Sequence, residues 1–524
     1  LISKLKNVGK MASKEAFLET VQKGYTFKGG TIPLGASVFN GEVLKEALVN
    51  IPLSTLNRHG LIAGATGTGK TKTLQSIAEG LASNGVSVMM MDVKGDLSGM
   101  AMPGNPHPKI DERQEKLGIT WKPQAFPCEL MSLSNEKGVR LRATVSEFGP
   151  VLFSKILGLN DTQSGVVSLV FKYSDDRSLP LLDLKDFKKV LQYCTNEGKE
   201  EIKKEYGAIS TASASTILRK IIEVEEQGAD LFFGETSFDV NDLLRLDDNG
   251  KGYVHIVRLV DIQDKPKLFS TFMLCLLAEI YQSFPEEGDL EQPKLVLFID
   301  EAHLIFKEAS DALMDQLESI IKLIRSKGVG IIFCTQSPVD VPAAILGQLG
   351  LKVQHALRAF TAADRKAIKL VAENYPITEF YDVDSLITEL GIGEAMITCL
   401  SEKGTPSPLV HTYLSAPQSR MDILTPSEQE DLLGQSAMVK KYNQVVDRES
   451  AYEMLQQKIS PSEEEDDSKK KASSSKKEEK SVIGEAIDST VGRQVARTLA
   501  REVTRGLLGV LGIGTSKRGK KSWF

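Results

Sequence analysis

The stretch Gly64-Ala-Thr-Gly-Thr-Gly-Lys70-Thr71 constrains this chain more than any other. Three glycines within six positions let the backbone wrap tightly. Its N–H groups then converge on one point, and that point suits a phosphate. The flanks fit the same geometry. Gly60-Leu-Ile-Ala63 is short and apolar, as a buried strand requires, and Lys70 to Asn84 carries Leu74, Ile77, Ala78 and Leu81 at helical spacing. A second apolar run, Val86 to Met91, ends at Asp92. Strand, loop, helix and strand form a β-α-β unit, which opens a parallel sheet covered by helices. The fold class is α/β.

The stretch satisfies GxxxxGK[ST] in full. Gly64, Ala65, Thr66, Gly67, Thr68, Gly69, Lys70 and Thr71 are the expected nucleotide-binding set. Lys70 reaches the β- and γ-phosphates, and the Thr71 hydroxyl binds Mg²⁺. A chance glycine turn would not be framed by a strand and a helix. A second element, Leu295-Val-Leu-Phe-Ile-Asp300-Glu301, is an apolar strand ending in two carboxylates. Alone it reads equally well as a buried strand with a solvated acidic tip. Beside a phosphate loop, Asp300 is a ligand for Mg²⁺, directly or through water, and Glu301 is a general base for the attacking water. The strand Val329 to Thr335 ends at Gln336, which can hold that water or report on the phosphate, against the plainer reading of a turn residue before Pro338. The segment Asp92-Val-Lys-Gly-Asp96 follows the second strand at the same edge; it reads as a contact to nucleotide, Mg²⁺ water or substrate, or as a charged turn with Gly95 at the corner. His303, in Asp-Glu-Ala-His, reads as a hydrogen-bonded residue at a helix start, with coupling of the site to a neighbouring element as the alternative.

The chain has 524 residues, 41% hydrophobic and 26% charged, which is the composition of a globular protein with two or three units. No apolar run approaches the ~18–20 residues of a membrane span. Met11 reads as a native start, with the preceding ten residues an upstream extension. Five scattered cysteines with no CxxC pair fit a reducing, cytoplasmic location. Net charge is −6; residues 483–524 carry eight Lys/Arg against three Asp/Glu, leaving −11 for the rest. An acidic body is no general nucleic-acid surface, so a DNA contact needs a local basic channel or the tail. The expected organisation is an N-terminal extension and small β-rich lead-in (1–57), the first part of an ATPase core (58–97), and a mainly helical insertion (98–249). The second part of the core (250–415), a helical extension (416–458), a disordered charged linker (459–482) and a basic amphipathic tail (483–524) follow.

Together these segments resemble the HerA/FtsK superfamily, in particular bacterial HerA-like proteins of the YjgR type. The resemblance runs from about residue 25 to about residue 415. It rests on Ile32-Pro-Leu-Gly, the string from Arg58 through Lys70, Asp92 to Gly99, Asp300 to His303, Arg325 to Gln336, Val353 to Phe360, and Leu390 to Ala395. It implies a RecA-like P-loop core with a helical insertion, a homo-oligomeric ring of six subunits, and ATP hydrolysis with Mg²⁺ at subunit interfaces. It also implies an arginine supplied by the next subunit, for which Arg325 and Arg358 are the candidates. A DNA substrate and a nuclease or other effector partner follow from the resemblance alone.

In the tail, Arg493, Arg497, Arg501 and Arg505 recur every four residues, with Val491, Val495, Leu499, Val503, Leu507 and Leu511 offset by two. The result is an amphipathic helix with a cationic and an apolar face, suited to a membrane surface, nucleic acid, another protein or its own body. The leading expectation is an ATP-driven ring motor, a translocase or helicase acting on DNA. A nucleotide-controlled scaffold or signalling assembly, and a membrane-associated ATPase acting on protein, are the alternatives.

Overall fold

The computed structural model describes residues 13–459, apart from 289, 307–310, 360, 445, 447 and 448. The chain forms two units, 1–460 and 461–524, and the second lies wholly outside the described residues. So do the first ten residues, the expected basic tail and nearly all of the expected linker; Ile459 alone of that linker is described, as the end of a helix.

Twelve strands make one sheet: β1 (Thr31–Phe39), β2 (Glu42–Pro52), β3 (Gly60–Ala63), β4 (Ser87–Asp92), β5 (Cys128–Ser132), β6 (Val139–Arg140), β7 (Val254–Arg258), β8 (Leu295–Ile299), β9 (Val329–Thr335), β10 (Leu351–Gln354), β11 (Glu394–Thr398) and β12 (Val410–Leu414). Their order is β2-β1-β12-β11-β10-β3-β9-β8-β4-β7-β5-β6. From β10 to β6 every neighbouring pair is parallel, and from β2 to β10 every pair is antiparallel. The parallel half is covered on both faces, so β3, β4, β8 and β9 are buried at every position. Successive residues serve opposite faces. Val88 and Met90 pack with Leu74, Ile77 and Leu81 of the helix Lys70–Ser83. Met89 and Met91 pack with the helix Pro266–Ser283 and the helices of residues 145–225. Fully burying each such side chain contributes about 1.5–3 kcal/mol.

Residues 98–249 hold six of the seventeen α-helices among the described residues, including Val145–Ile156, Asp161–Asp176, Leu184–Thr195 and Thr211–Glu225. Their starts are marked locally. Thr144, Asn160 and Asp183 each cap a helix through a reciprocal side-chain box, worth about 1 kcal/mol apiece. The same segment also supplies β5 and β6, which extend the main sheet past β7. Glu129 sits inside β5 and disguises the strand in the sequence. The fold satisfies it with Arg245 Nη1 at 3.0 Å and the Ser436 hydroxyl at 2.6 Å. At the other edge β1 and β2 belong to the same sheet and form no separate domain. Among the described residues no helix is long and apolar enough to cross a membrane.

Candidate nucleotide site

β3 ends at Ala63, and the chain runs through Gly64–Gly69 into the helix Lys70–Ser83. A Cβ on Gly64 would lie 2.5 Å from the Cβ of His355, so only glycine fits where the loop passes the end of β10. Gly69 takes φ +107° immediately before the helix, a backbone conformation that a side chain resists. The loop is braced by its neighbours. His355 N donates to Ala63 O at 2.7 Å, Ala65 N to Ala356 O at 2.8 Å, and Gly393 N to Thr68 O at 3.1 Å. Lys70 is nearly buried, and its ammonium donates to Gly64 O at 2.7 Å and Ala65 O at 3.1 Å, folded along the inner wall of its own loop. Burial lowers its pKa, and the carboxylates of Asp300 and Glu301 counter part of that. Behind the loop, His355 Nε2 lies 3.0 Å from the Thr73 hydroxyl. Burial, with Lys70 beside it, lowers the pKa of His355 to about 4, so the ring is neutral.

β8 lies two places from β3, with β9 between. Asp300 and Glu301 follow it, 4% and 8% exposed. β4 flanks β8 on the other side with Met91 opposite Ile299, so the turn after β4 runs beside the acidic pair. That register delivers Lys94. Its ammonium is 2.7 Å from Glu301 Oε1 and 3.7 Å from Asp300 Oδ2. Burial raises the pKa of Asp300, and Lys94 only partly offsets this. Burial acts the same way on Glu301, but there the hydrogen bond and charge of Lys94 prevail and hold the carboxyl below its usual range. Lys94 itself is raised to about 12: burial opposes its charge, and the two carboxylates outweigh burial. Glu301 has φ +46°, an uncommon backbone for a residue with a Cβ. His303 opens the short helix His303–Phe306, its Nδ1 3.4 Å from Glu301 Oε2.

Gln336 follows β9, exposed at the same edge. Asp340 fixes that tip, its Oδ2 accepting from the Thr335 hydroxyl at 2.6 Å and from Ser337 N at 3.0 Å. Lys70 and Thr71, Gln336, and Asp300 with Glu301 therefore follow the carboxyl ends of three adjacent parallel strands, where open α/β sheets bind ligands. Asp92 is deeply buried and accepts from the backbone N–H groups of Gly95, Asp96 and Leu97 at 2.8, 3.1 and 3.2 Å. Both of its oxygens serve the turn that carries Lys94. Burial and the nearby Asp96 raise its pKa to about 7, against the pull of those three N–H groups. Of the two arginines, only Arg325 is placed far from this cluster. Arg325 is exposed in the turn Arg325–Lys327 before β9, a strand length, or about 20 Å, from the carboxyl edge. Arg358 is exposed beyond β10, on the phosphate-loop side.

A model of the HerA-like C-terminal helicase family matches residues 39–518. The chain belongs to the HerA-like helicase family. Among curated relatives it resembles the DNA double-strand break repair helicase HerA of Sulfolobus acidocaldarius, with 22% identity over 71% of this chain and 67% of that protein. The HerA of Sulfurisphaera tokodaii is 24% identical over the same shares. Among solved structures it is similar to the plasmid coupling protein TrwB in complex with a non-hydrolysable ATP analogue (15% identity, 76% of this chain, 99% of that one, TM-score 0.49). It is also similar to VirB4 of Thermoanaerobacter pseudethanolicus (18% identity, 77% and 99%, TM-score 0.45).

His355, Asp340 and Arg113 carry no role in the sequence reading of this HerA-like chain, and Lys94 enters it only as part of the segment Asp92–Asp96. Arg113 lies on the helix Pro108–Leu117 and donates to the carbonyls of Ile392, Gly393 and Leu414, pinning the loop that abuts Gly69. Only Lys94 had a local signal, its place in a charged turn at the carboxyl end of a predicted strand. The others act through partners that are remote in sequence or, for Asp340, through a turn with no distinctive pattern.

Proposed function

We propose that this chain is an ATP-hydrolysing motor that assembles into a ring, of six subunits, and moves or remodels DNA. The observation that carries this reading is the meeting of Lys70, Gln336 and the Asp300–Glu301 pair at the ends of three adjacent strands. The loop suits a phosphate, because Gly64, Gly67 and Gly69 all take positive φ in a tight wrap before the helix, and the buried ammonium of Lys70 already lies along the loop wall. Thr71 and Asp300 are the side chains that would hold Mg²⁺, whose charge would offset that of the phosphates. Glu301 takes the proton of the attacking water, and Gln336 orients that water. Arg325 or Arg358 completes the site of the next subunit. Arg325 is about a strand length from its own site and can serve only another's. The HerA relatives are DNA repair helicases by name, which supports DNA as the polymer; a nuclease or other effector as partner rests on the family resemblance alone. The cytoplasm fits five cysteines that are scattered along the chain with no CxxC pair.

ATPase turnover with and without double-stranded DNA, single-stranded DNA and RNA tests the reading. Stimulation by DNA is expected, and equal rates under all four conditions would remove DNA from it. For the ring, Glu301→Gln subunits mixed with Arg325→Ala or with Arg358→Ala subunits should recover part of the lost activity, because some interfaces then pair two intact halves. A monomer in sedimentation whose turnover is independent of concentration would sink the ring.

A further inference from the structure

The turn after β4 is a rigid mount for one long side chain. Asp92 closes it through three backbone N–H groups. Gly95, at φ +76°, lets Val260 pack close, since a Cβ there would lie 2.8 Å from Val260 Cγ2. Gln263 Nε2 ties Val93 O from the side at 2.5 Å. Lys94 leaves this mount, crosses to the neighbouring strand end and donates to Glu301 Oε1 at 2.7 Å. The two partners differ in freedom. The Lys94 side chain is 39% exposed and can swing into water, whereas that of Glu301 is 10% exposed and set on a positive-φ backbone. Glu301 Oε2 is buried, with His303 Nδ1 3.4 Å away. Oε1 is therefore the oxygen left to meet a water, and Lys94 covers it.

We propose that Lys94 is a latch on Glu301, holding the carboxylate away from water until the ammonium swings out. The latch rests on the reading of Glu301 as the base. Lys94 is thus a positioning residue that acts through Glu301. Lys94 is the partner in contact with solvent, so rotation of its side chain opens the pair, and the latch slows turnover without abolishing it. Lys94 is not a phosphate ligand in this position, because two carboxylates already neutralise its charge.

The test is steady-state ATPase kinetics of the full chain with Mg²⁺ and without DNA. Lys94→Met should raise kcat about two- to five-fold, the scale of one half-exposed ion pair, and leave KM for ATP unchanged. Lys94→Arg keeps the cation and should stay near wild type. Glu301→Gln and the double variant Lys94→Met/Glu301→Gln should be equally inactive, because the latch acts on a base that both variants lack. With Glu301→Gln inactive, an unchanged or lower kcat in Lys94→Met overturns the latch, and so does a Lys94→Arg variant as fast as Lys94→Met. Normal turnover by Glu301→Gln overturns instead the assignment of the base, whatever Lys94 does.

Discussion

The two corners of the site are built by opposite means. The corner after β3 is made of backbone: glycines 64, 67 and 69, carbonyls that receive the Lys70 ammonium, and strand ends that hydrogen-bond the loop. The corner after β8 is made of side chains: two nearly buried carboxylates, a lysine from the next strand and a histidine one turn on. A backbone corner fixes shape and tolerates little motion. A side-chain corner stores charge that can be redistributed by rotating one bond. Binding should therefore depend on the first corner and the timing of chemistry on the second.

The comparison breaks first at Lys70. Lys70→Ala should weaken nucleotide binding by on the order of 10²–10³-fold in a calorimetric titration, the cost of removing the cation from a buried charge pair. A smaller loss would mean that the backbone alone holds the phosphates. Glu301→Gln should leave that titration unchanged and lower kcat by about 10²–10⁴-fold, since the amide accepts no proton. If affinity fell and turnover per bound nucleotide held, the division between the corners would be wrong.

Acid should reach the backbone corner through His355, whose pKa is lowered to about 4 from an ordinary 6.5. A depressed base binds fewer protons folded than unfolded, so its contribution is complete above pH 6.5 and is lost as pH falls toward 4. The loss is roughly 3 kcal/mol at ~1.4 kcal/mol per pH unit. Denaturant melts of wild type and His355→Gln between pH 7 and 4.5 check this: the variant should lose less stability over that interval, and parallel curves would remove His355 from the account. The smallest effect is expected at Gln336, exposed between the corners. Gln336→Ala should slow turnover by about ten-fold, one hydrogen bond's worth, with nucleotide affinity nearly intact. A fall in affinity instead would make Gln336 a binding contact.

The same contrast explains what could be read in advance. The phosphate loop is legible because its demands are local: glycine positions, a lysine, a strand before and a helix after. The fully buried runs of β4, β8 and β9 are equally plain, since a sheet covered on both faces leaves no polar alternation to confuse. Lys94 acquires its partner only through the register of β4 on β8, which no window of sequence contains. β5 was hidden because Glu129 interrupts an apolar run, and only Arg245 and Ser436, far along the chain, make it tolerable there. Asp92 read either as a ligand or as a turn residue. The fold spends both of its oxygens on the turn, an outcome that depends on how tightly Gly95 lets the chain close.

The backbone leaving β10 meets the loop and then carries an arginine outward within a few residues. His355 and Ala356 are bonded to Ala63 and Ala65, and Arg358 follows at once on the exposed side. A peptide chain this short behaves as a stiff lever. A displacement of the loop on one side becomes a displacement of the arginine on the other, with no slack to absorb it. In the ring we propose, with Arg358 as the arginine supplied across the seam, the loop beside one subunit's nucleotide would also set the position of the charge offered to the next.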